Sequence, residues 1–231
     1  MAQTFDVAII GGGIAGWSLA ASLVQHKSVL LLEREDAFGY HSTGRSAAEF
    51  AFRFHTPLVG KLAALSIDFL NAPPTGFSAN PLLNRRGMIL IASEEKRDRL
   101  RKVYEAECEA TDRLVKLDKE DVLHRVPILN PDFFSTAFAD PDCWDIDVES
   151  LFQGYQKLAK SQGAIAHGKA ELKGAEHSSG YWQMHTSAGI FNAVIVVNAA
   201  GAWVDDVGKI FGATPLGFTP FNRTMITVDL P

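Results

Sequence analysis

Phe5-Asp6-Val7-Ala8-Ile9-Ile10-Gly11-Gly12-Gly13-Ile14-Ala15-Gly16 decides how the rest of the chain is read. Phe5 to Ile10 is a short apolar run interrupted only by Asp6 and closed by Gly11, the pattern of a buried strand. Ile14 to Gln25 has helical character, with Leu19, Leu23 and several alanines along one face. Val29 to Leu32 is a second short apolar run ending in Glu33. Strand, helix and strand follow one another in about thirty residues, the size of one βαβ unit.

The glycines satisfy Gly-x-Gly-x-x-Gly between a strand and a helix, the context that the dinucleotide fingerprint requires. Gly11 suits the tight turn, Gly13 allows backbone to approach a pyrophosphate, and Gly16 allows close packing of the helix. Ile14 and Ala15 open that helix, whose free amides and positive dipole end suit phosphates. Glu33 stands close to the roughly 20-residue spacing expected of the acid that accepts ribose hydroxyls, and a carboxylate there argues against a 2′-phosphate and hence against NADP. Glycines alone would equally make a ligand-free turn; the strand, helix, second strand and terminal Glu together point to a dinucleotide.

Outward from this unit the pattern changes. Tyr40 to Ala48 is rich in small and polar residues and reads as a loop leading into a helix. Pro57 to Leu70 has helical spacing, Pro73-Pro74-Thr75-Gly76 is a break, and Met88 to Ile91 reads as a strand. Ser93 is expected to cap a charged helix from Glu94 to about Leu117, with Leu100, Val103, Cys108 and Leu114 inward. Asp118 caps a short helix ending before Pro127, and Phe134 to Phe138 is a strand. A helix from Asp147 to Ser161 follows, then strands at 164–167, 170–173, 181–186 and 190–197, and a helix from Trp203 to Phe211. The fold class is therefore α/β: a discontinuous Rossmann-like domain built from residues 1–57 and 145–211, with an inserted α+β substrate domain at 58–144 and the start of its next segment at 212–231.

Composition sets outer limits. The chain has 231 residues, 47% hydrophobic and 21% charged, with net charge −5 and pI about 5.8. These values suit a soluble globular protein, and no basic stretch marks a nucleic-acid footprint. Cys108 and Cys143 make neither a disulfide framework nor a metal or redox pair. The opening residues lack the basic n-region of a signal peptide, and the first apolar run is too short to span a bilayer. The expected location is cytoplasmic, with no transmembrane segment, no metal and no nucleic-acid partner.

Two further stretches decide the cofactor. Tyr40-His41-Ser42-Thr43-Gly44-Arg45-Ser46-Ala47-Ala48 stands where an NAD fingerprint would continue with another βα unit, and Val194 to Trp203 ends in Asn198-Ala199-Ala200-Gly201-Ala202-Trp203. With the glycine turn they make the chain resemble the FAD-dependent D-amino-acid dehydrogenase/glycine oxidase (DAO-type) family over nearly its whole length, in a pattern most similar to D-arginine dehydrogenases. The resemblance implies FAD, held by Gly11, Gly13, Ile14, Ala15, Gly16, Glu33, Arg34, Ser42, Thr43, Gly44, Arg45, Ser46, Ala47 and Ala48, with Ala170 beside the adenine and Ala200 and Gly201 close to the dinucleotide. It implies oxidation of a small-molecule amine or amino acid by hydride transfer to the flavin, the imine then hydrolysing, with oxygen or a quinone as electron acceptor. Such chemistry belongs to the cofactor, and no Ser-His-Asp or paired-carboxylate signature is present. His41 reads as a residue that orders its loop.

The pattern breaks at three positions. Where D-arginine enzymes place a substrate-contacting His, this chain has Glu49; where they place a Tyr, Phe54; where they place the carboxylate that holds the guanidinium, Gly87. A cationic side chain would be left unpaired there, at a cost of several kcal/mol, so a different substrate is expected, with Glu49, Phe54 and Arg223 as candidate contacts. Arg223 can pair bidentately with a substrate carboxylate or lie at the surface. Family members also extend beyond residue 231, so the resemblance implies a fragment lacking the C-terminal part of the fold. The alternatives are an FAD-dependent 2-hydroxy-acid or glycerol-phosphate oxidoreductase, and a truncated flavin-binding domain without activity.

Overall fold

The computed structural model describes residues 4–53, 56–109, 113–222 and 224–228, and the chain divides into two compact units. The first consists of residues 1–47, 74–80 and 148–224, the second of 48–73, 81–147 and 225–231. In chain order the elements are strand β1 (Thr4–Ile10), helix α1 (Ile14–Leu23), β2 (Val29–Leu32), β3 (Glu49–Phe50), α2 (Pro57–Asn71), β4 (Leu83–Arg85), β5 (Met88–Ala92), α3 (Arg97–Cys108), β6 (Val115–Leu117), α4 (Lys119–Arg125), β7 (Thr136–Asp140), β8 (Trp144–Ile146), α5 (Val148–Ser161), β9 (Ile165–His167), β10 (Leu172–Ser178), β11 (Tyr181–Thr186), β12 (Gly189–Asn198) and α6 (Val204–Ile210). No helix among the described residues is long and apolar enough to cross a membrane.

The first unit is one six-stranded sheet in the order β10-β11-β12-β1-β2-β9. β12, β1, β2 and β9 run parallel; β10 and β11 extend the sheet antiparallel. β2 is buried at all four positions, as the continuous apolar run Val29-Leu30-Leu31-Leu32 requires of a strand covered on both faces. On one face α1 and α5 pack through Trp17, Ala20, Phe152 and Ala159 against Val7, Ile9 and Leu31. On the other, Val207 and Ile210 of α6 lie against a cluster holding Ala8, Ile10, Leu30 and Leu32. Parallel strands between helical layers place the carboxyl ends of β1, β2 and β12 side by side, and in open sheets of this kind ligands bind outside those ends.

The second unit holds two three-stranded antiparallel sheets, β3-β8-β4 and β5-β7-β6. The first unit's opening segment ends at Ala47, earlier than the 57/58 boundary read from the sequence, because Glu49 and Phe50 pair with Asp145 and Trp144. The helix expected to run from Glu94 to Leu117 is instead a 3-10 turn at Glu94–Lys96 followed by α3, and it stops at Cys108. Val115–Leu117 is a strand because it pairs with Ala137–Ala139 of β7 and buries Leu117 beneath α4. α4 itself is as expected: Asp118 accepts from the Asp121 amide and Asp121 reciprocates, a capping box.

Candidate functional site

The turn after β1 is shaped by what its glycines must avoid. Gly11 has φ +115°, and a Cβ there would stand 2.3 Å from the Ala199 carbonyl oxygen. A Cβ on Gly16 would stand 2.0 Å from the Gly11 carbonyl oxygen, and one on Gly12 would stand 2.5 Å from Phe38. Those three glycines serve the chain's own packing: Gly11 admits the turn after β12, Gly12 admits Phe38, and Gly16 seats α1 on the turn itself. Gly13 differs. A Cβ there would meet only the Thr43 hydroxyl, at 3.3 Å, and Gly13 lines a cavity of 450 Å³. It is the glycine of the four whose bareness is left for a ligand.

The cavity lies wholly in the first unit, over the carboxyl ends of β1, β2 and β12. Its floor is Ile10, Gly11, Gly13, Ile14 and Ala15; its sides are Leu32, Glu33 and Arg34, then Gly39 to Thr43, Ala170 to Leu172, and Ala199 to Trp203 with α6. The first amides of α1 have no partner inside the helix, and Gly13, its N-cap residue, supplies no side chain to cap them. Thr43 meets part of that need: its hydroxyl accepts from the Ile14 amide at 3.0 Å, leaving its own proton free to donate.

Glu33 is fixed before any ligand arrives. One carboxylate oxygen accepts from the Gly12 amide at 2.7 Å, the other from the Glu35 amide at 2.9 Å. A carboxylate has about four lone-pair positions, so two amides orient it and leave capacity for hydroxyl donors in the cavity. Beside it, the Glu33 carbonyl accepts from the Ala170 amide at 2.8 Å, which carries Ala170 into the wall.

One side of the cavity is an aromatic and charged stack. The Arg34 guanidinium sits 3.9 Å over the Trp203 ring and 3.0 Å from a Glu35 oxygen. His41 bonds the same Glu35 oxygen at 2.8 Å and leans on Trp203, with ring centroids 4.5 Å apart. The His41 contact, then Arg34, holds the Glu35 carboxyl below its ordinary value. His41 thus orders its loop, as its place in the sequence suggests. The turn at 198–204 is held by Asn198, whose amide donates to the Val204 carbonyl at 2.7 Å and whose oxygen accepts from the Ala200 amide at 3.2 Å.

Of the residues expected around the cofactor, Gly11, Gly13, Ile14, Ala15, Glu33, Arg34, Ser42, Thr43, Ala170, Ala200 and Gly201 line the cavity. Gly16 lies beneath the turn, and Gly44 packs against the Gly39 carbonyl. Arg45 stacks over the Tyr40 ring at 4.7 Å and is not in the lining, nor are Ser46 and Ala47. Ala48 belongs to the second unit. Glu49, also there, lies 3.8 Å from Arg86. Phe54, His55 and Arg223 fall outside the described residues. Tyr40, Ala202, Trp203, Val207 and Ile210 also line it without having been expected there; Tyr40, Ala202 and Trp203 stand inside quoted motifs, while Val207 and Ile210 carried no signal.

The donor set fits a dinucleotide: a bare helix N-terminus for phosphates, an oriented carboxylate for hydroxyls, and an apolar trough of Ile10, Leu32, Leu172, Val207 and Ile210. Comparison with known proteins agrees. The family model described as FAD dependent oxidoreductase (DAO) matches residues 6–231. A glycine oxidase of Geobacillus kaustophilus (strain HTA426) is 26% identical over 242 residues, covering 100% of this chain and 63% of the relative. The mitochondrial dimethylglycine dehydrogenase of Rattus norvegicus is 27% identical over 232 residues, covering 98% of this chain and 27% of that protein. The crystal structure of glycine oxidase from Geobacillus kaustophilus superposes with TM-score 0.78 and 25% identity, over 90% of this chain and 58% of that one. The chain therefore spans less than two thirds of the length of these relatives.

Proposed function

We propose, from the premise that this chain belongs to the DAO family of FAD dependent oxidoreductases, that it forms the cofactor-binding part of an enzyme oxidising a small-molecule amine or amino acid. The observation that carries this reading is the convergence of Gly13, the α1 amides and the fixed Glu33 carboxylate on one apolar cavity. Bound FAD supplies a hydride acceptor for oxidation of a C–N bond. The protein's own residues do the holding. The α1 amides and the Thr43 hydroxyl receive phosphate oxygens, Glu33 accepts from ribose hydroxyls, and Ala170 and Gly201 let backbone pass close to the ligand. The Arg34–Trp203 stack closes one side against water.

The pattern of D-arginine dehydrogenases supports the scaffold, not the substrate. Gly87 leaves no carboxylate for a guanidinium, so the substrate is a different amine or amino acid. Glu49, Phe54 and Arg223 remain the candidate substrate contacts, and oxygen or a quinone takes the electrons. Cys108 and Cys143 are both free thiols, which suits the reducing cytoplasm. A second reading, oxidation of a glycerol phosphate, draws on the likeness to a glycerol-3-phosphate dehydrogenase of Pseudomonas tolaasii, 26% identical over 227 residues.

The test is spectroscopic. The purified chain, reconstituted with FAD, is expected to be yellow, and anaerobic addition of a panel of amino acids and secondary amines is expected to bleach it. Bleaching by glycerol phosphate alone selects the second reading. A protein that FAD cannot colour would leave a flavin fold without a working flavin site and overturn both.

A further inference from the structure

We propose that the second unit carries a separate anion-binding cavity, in which Arg85, Arg86 and Arg125 receive a carboxylate- or phosphate-bearing small molecule. The cavity measures 870 Å³ and lies entirely within that unit. Three guanidiniums line it, against a single carboxylate, that of Asp140. That carboxylate is fully committed elsewhere. It accepts two hydrogen bonds from Arg53 Nη1, at 2.8 and 3.0 Å, and one from the Asp142 amide at 2.8 Å.

Of the three arginines, Arg85 and Arg86 have acid partners and Arg125 has none among the described residues. Asp142 divides its charge among Arg85 at 3.3 Å and two arginines outside the lining, Arg53 at 3.3 Å and Arg113 at 2.7 Å. Arg85 shares its acid, and a guanidinium carries five donors. Arg86 meets Asp145 at 2.6 Å and Glu49 only at 3.8 Å. Arg125 has no acid within ion-pair distance among the described residues, and it stands in the last turn of α4, where the helix dipole favours a cation. Gly87 adds room between Arg86 and Met88: a Cβ there would meet nothing closer than the Asp140 carbonyl at 3.6 Å. The same position therefore offers a cationic ligand no carboxylate. Met88, Ile89 and Val126 supply apolar wall, which suits an organic anion carried on a short carbon chain. Planar guanidiniums receive carboxylate and phosphate alike through paired donors.

Flavin binding does not enter the proposal, since every residue in it belongs to the other unit; it touches the proposed function only at Gly87 and at the Glu49 partner of Arg86, which the resemblance places at the substrate. It is tested on the full chain by thermal unfolding at matched ionic strength in chloride, succinate and inorganic phosphate. A ligand of the native state raises the midpoint with concentration. Succinate or phosphate is expected to raise it above chloride, succinate alone identifying a carboxylate ligand and phosphate alone a phosphate ester. Arg125→Gln and Arg125→Glu are expected to weaken the effect at least about tenfold, the loss of one charge-assisted contact. Arg101→Ala, on α3 away from the cavity, is expected to leave it intact. No rise beyond chloride, or an equal rise in the two Arg125 variants, overturns the proposal whether or not the protein binds FAD.

Discussion

At the first unit's cavity the chain offers mostly main chain: amides, bare glycines and one carboxylate gripped by two amides. In the second unit the corresponding work is done by long side chains, four arginines (Arg53, Arg85, Arg86 and Arg113) threaded among Glu49, Asp140, Asp142 and Asp145. The separations differ as much as the chemistry. Gly12 meets Glu33 across 21 positions and Ile14 meets Thr43 across 29, while Arg53 reaches Asp140 across 87 and Asp142 across 89. Main-chain sites built locally tolerate change at side chains but not at glycines. Sites built from distant ion pairs reverse that sensitivity, and substitutions can break or sharpen the contrast.

The largest expected effect is in the second unit. Asp140 is 0% exposed and the Arg53 side chain 14%. Burial works to lower the Arg53 pKa, but the two aspartates outweigh it and hold the guanidinium above its ordinary value. Arg53→Ala strands a buried carboxylate, so urea unfolding is expected to show a loss of about 3–5 kcal/mol. The double variant Arg53→Met with Asp140→Leu is expected to recover much of it; a loss under about 1 kcal/mol in the single variant would end the contrast. Next is Gly16→Ala, whose Cβ would fall 2.0 Å from the Gly11 oxygen. Unfolding is expected to register about 2–3 kcal/mol of overpacking, with FAD binding lost as the turn is pushed open.

Gly13→Ala sharpens the comparison, since it separates ligand from fold. Its Cβ meets only Thr43, so stability is expected to change by about 1 kcal/mol or less, while FAD titration shows affinity falling at least about tenfold. Equal losses in both would mean that Gly13, like its neighbours, serves packing alone.

The smallest effect is a titration. Asp205 accepts from the amides of Leu216, Gly217 and Phe218 at 2.8, 2.9 and 3.0 Å. Those bonds, Leu216's first, hold its carboxyl below the ordinary value. A lowered native pKa means the contribution is complete above the usual carboxylate range, about pH 4, and fades as pH falls through the native value. Hydrogen exchange at 216–218 is expected to stay protected from pH 8 to 5, opening only below about 4. Opening between pH 5 and 7 would assign the anchor to another group.

The same contrast explains what was legible in the sequence. β1, the glycine turn, α1 and β2 were readable because each signal is local: a continuous apolar run, a bare turn, a helical face. The roles within the turn were not. That Gly12 yields to Phe38, or that Thr43 reaches back to the Ile14 amide, depends on a loop folding over the turn. β3, β4 and β8 have two or three residues each, too few to show a period. The charged helix was read too long because β6 exists only through its pairing with β7, and nothing between Cys108 and Val115 announces that partner. The pairing of Glu49 with Arg86 likewise has no local mark.

The bend at Gly11 leaves room for Ala199 at a distance no side chain would permit, so the two halves of the cavity close only when the first glycine turn meets the distant turn at 199–203. During synthesis the first βαβ segment leaves the ribosome early, but its ligand has no enclosing wall until residues 199–203 have followed. Cofactor loading thus waits for the turn at 199–203, and a nascent chain paused before Ala199 should emerge colourless however well its opening strands have folded.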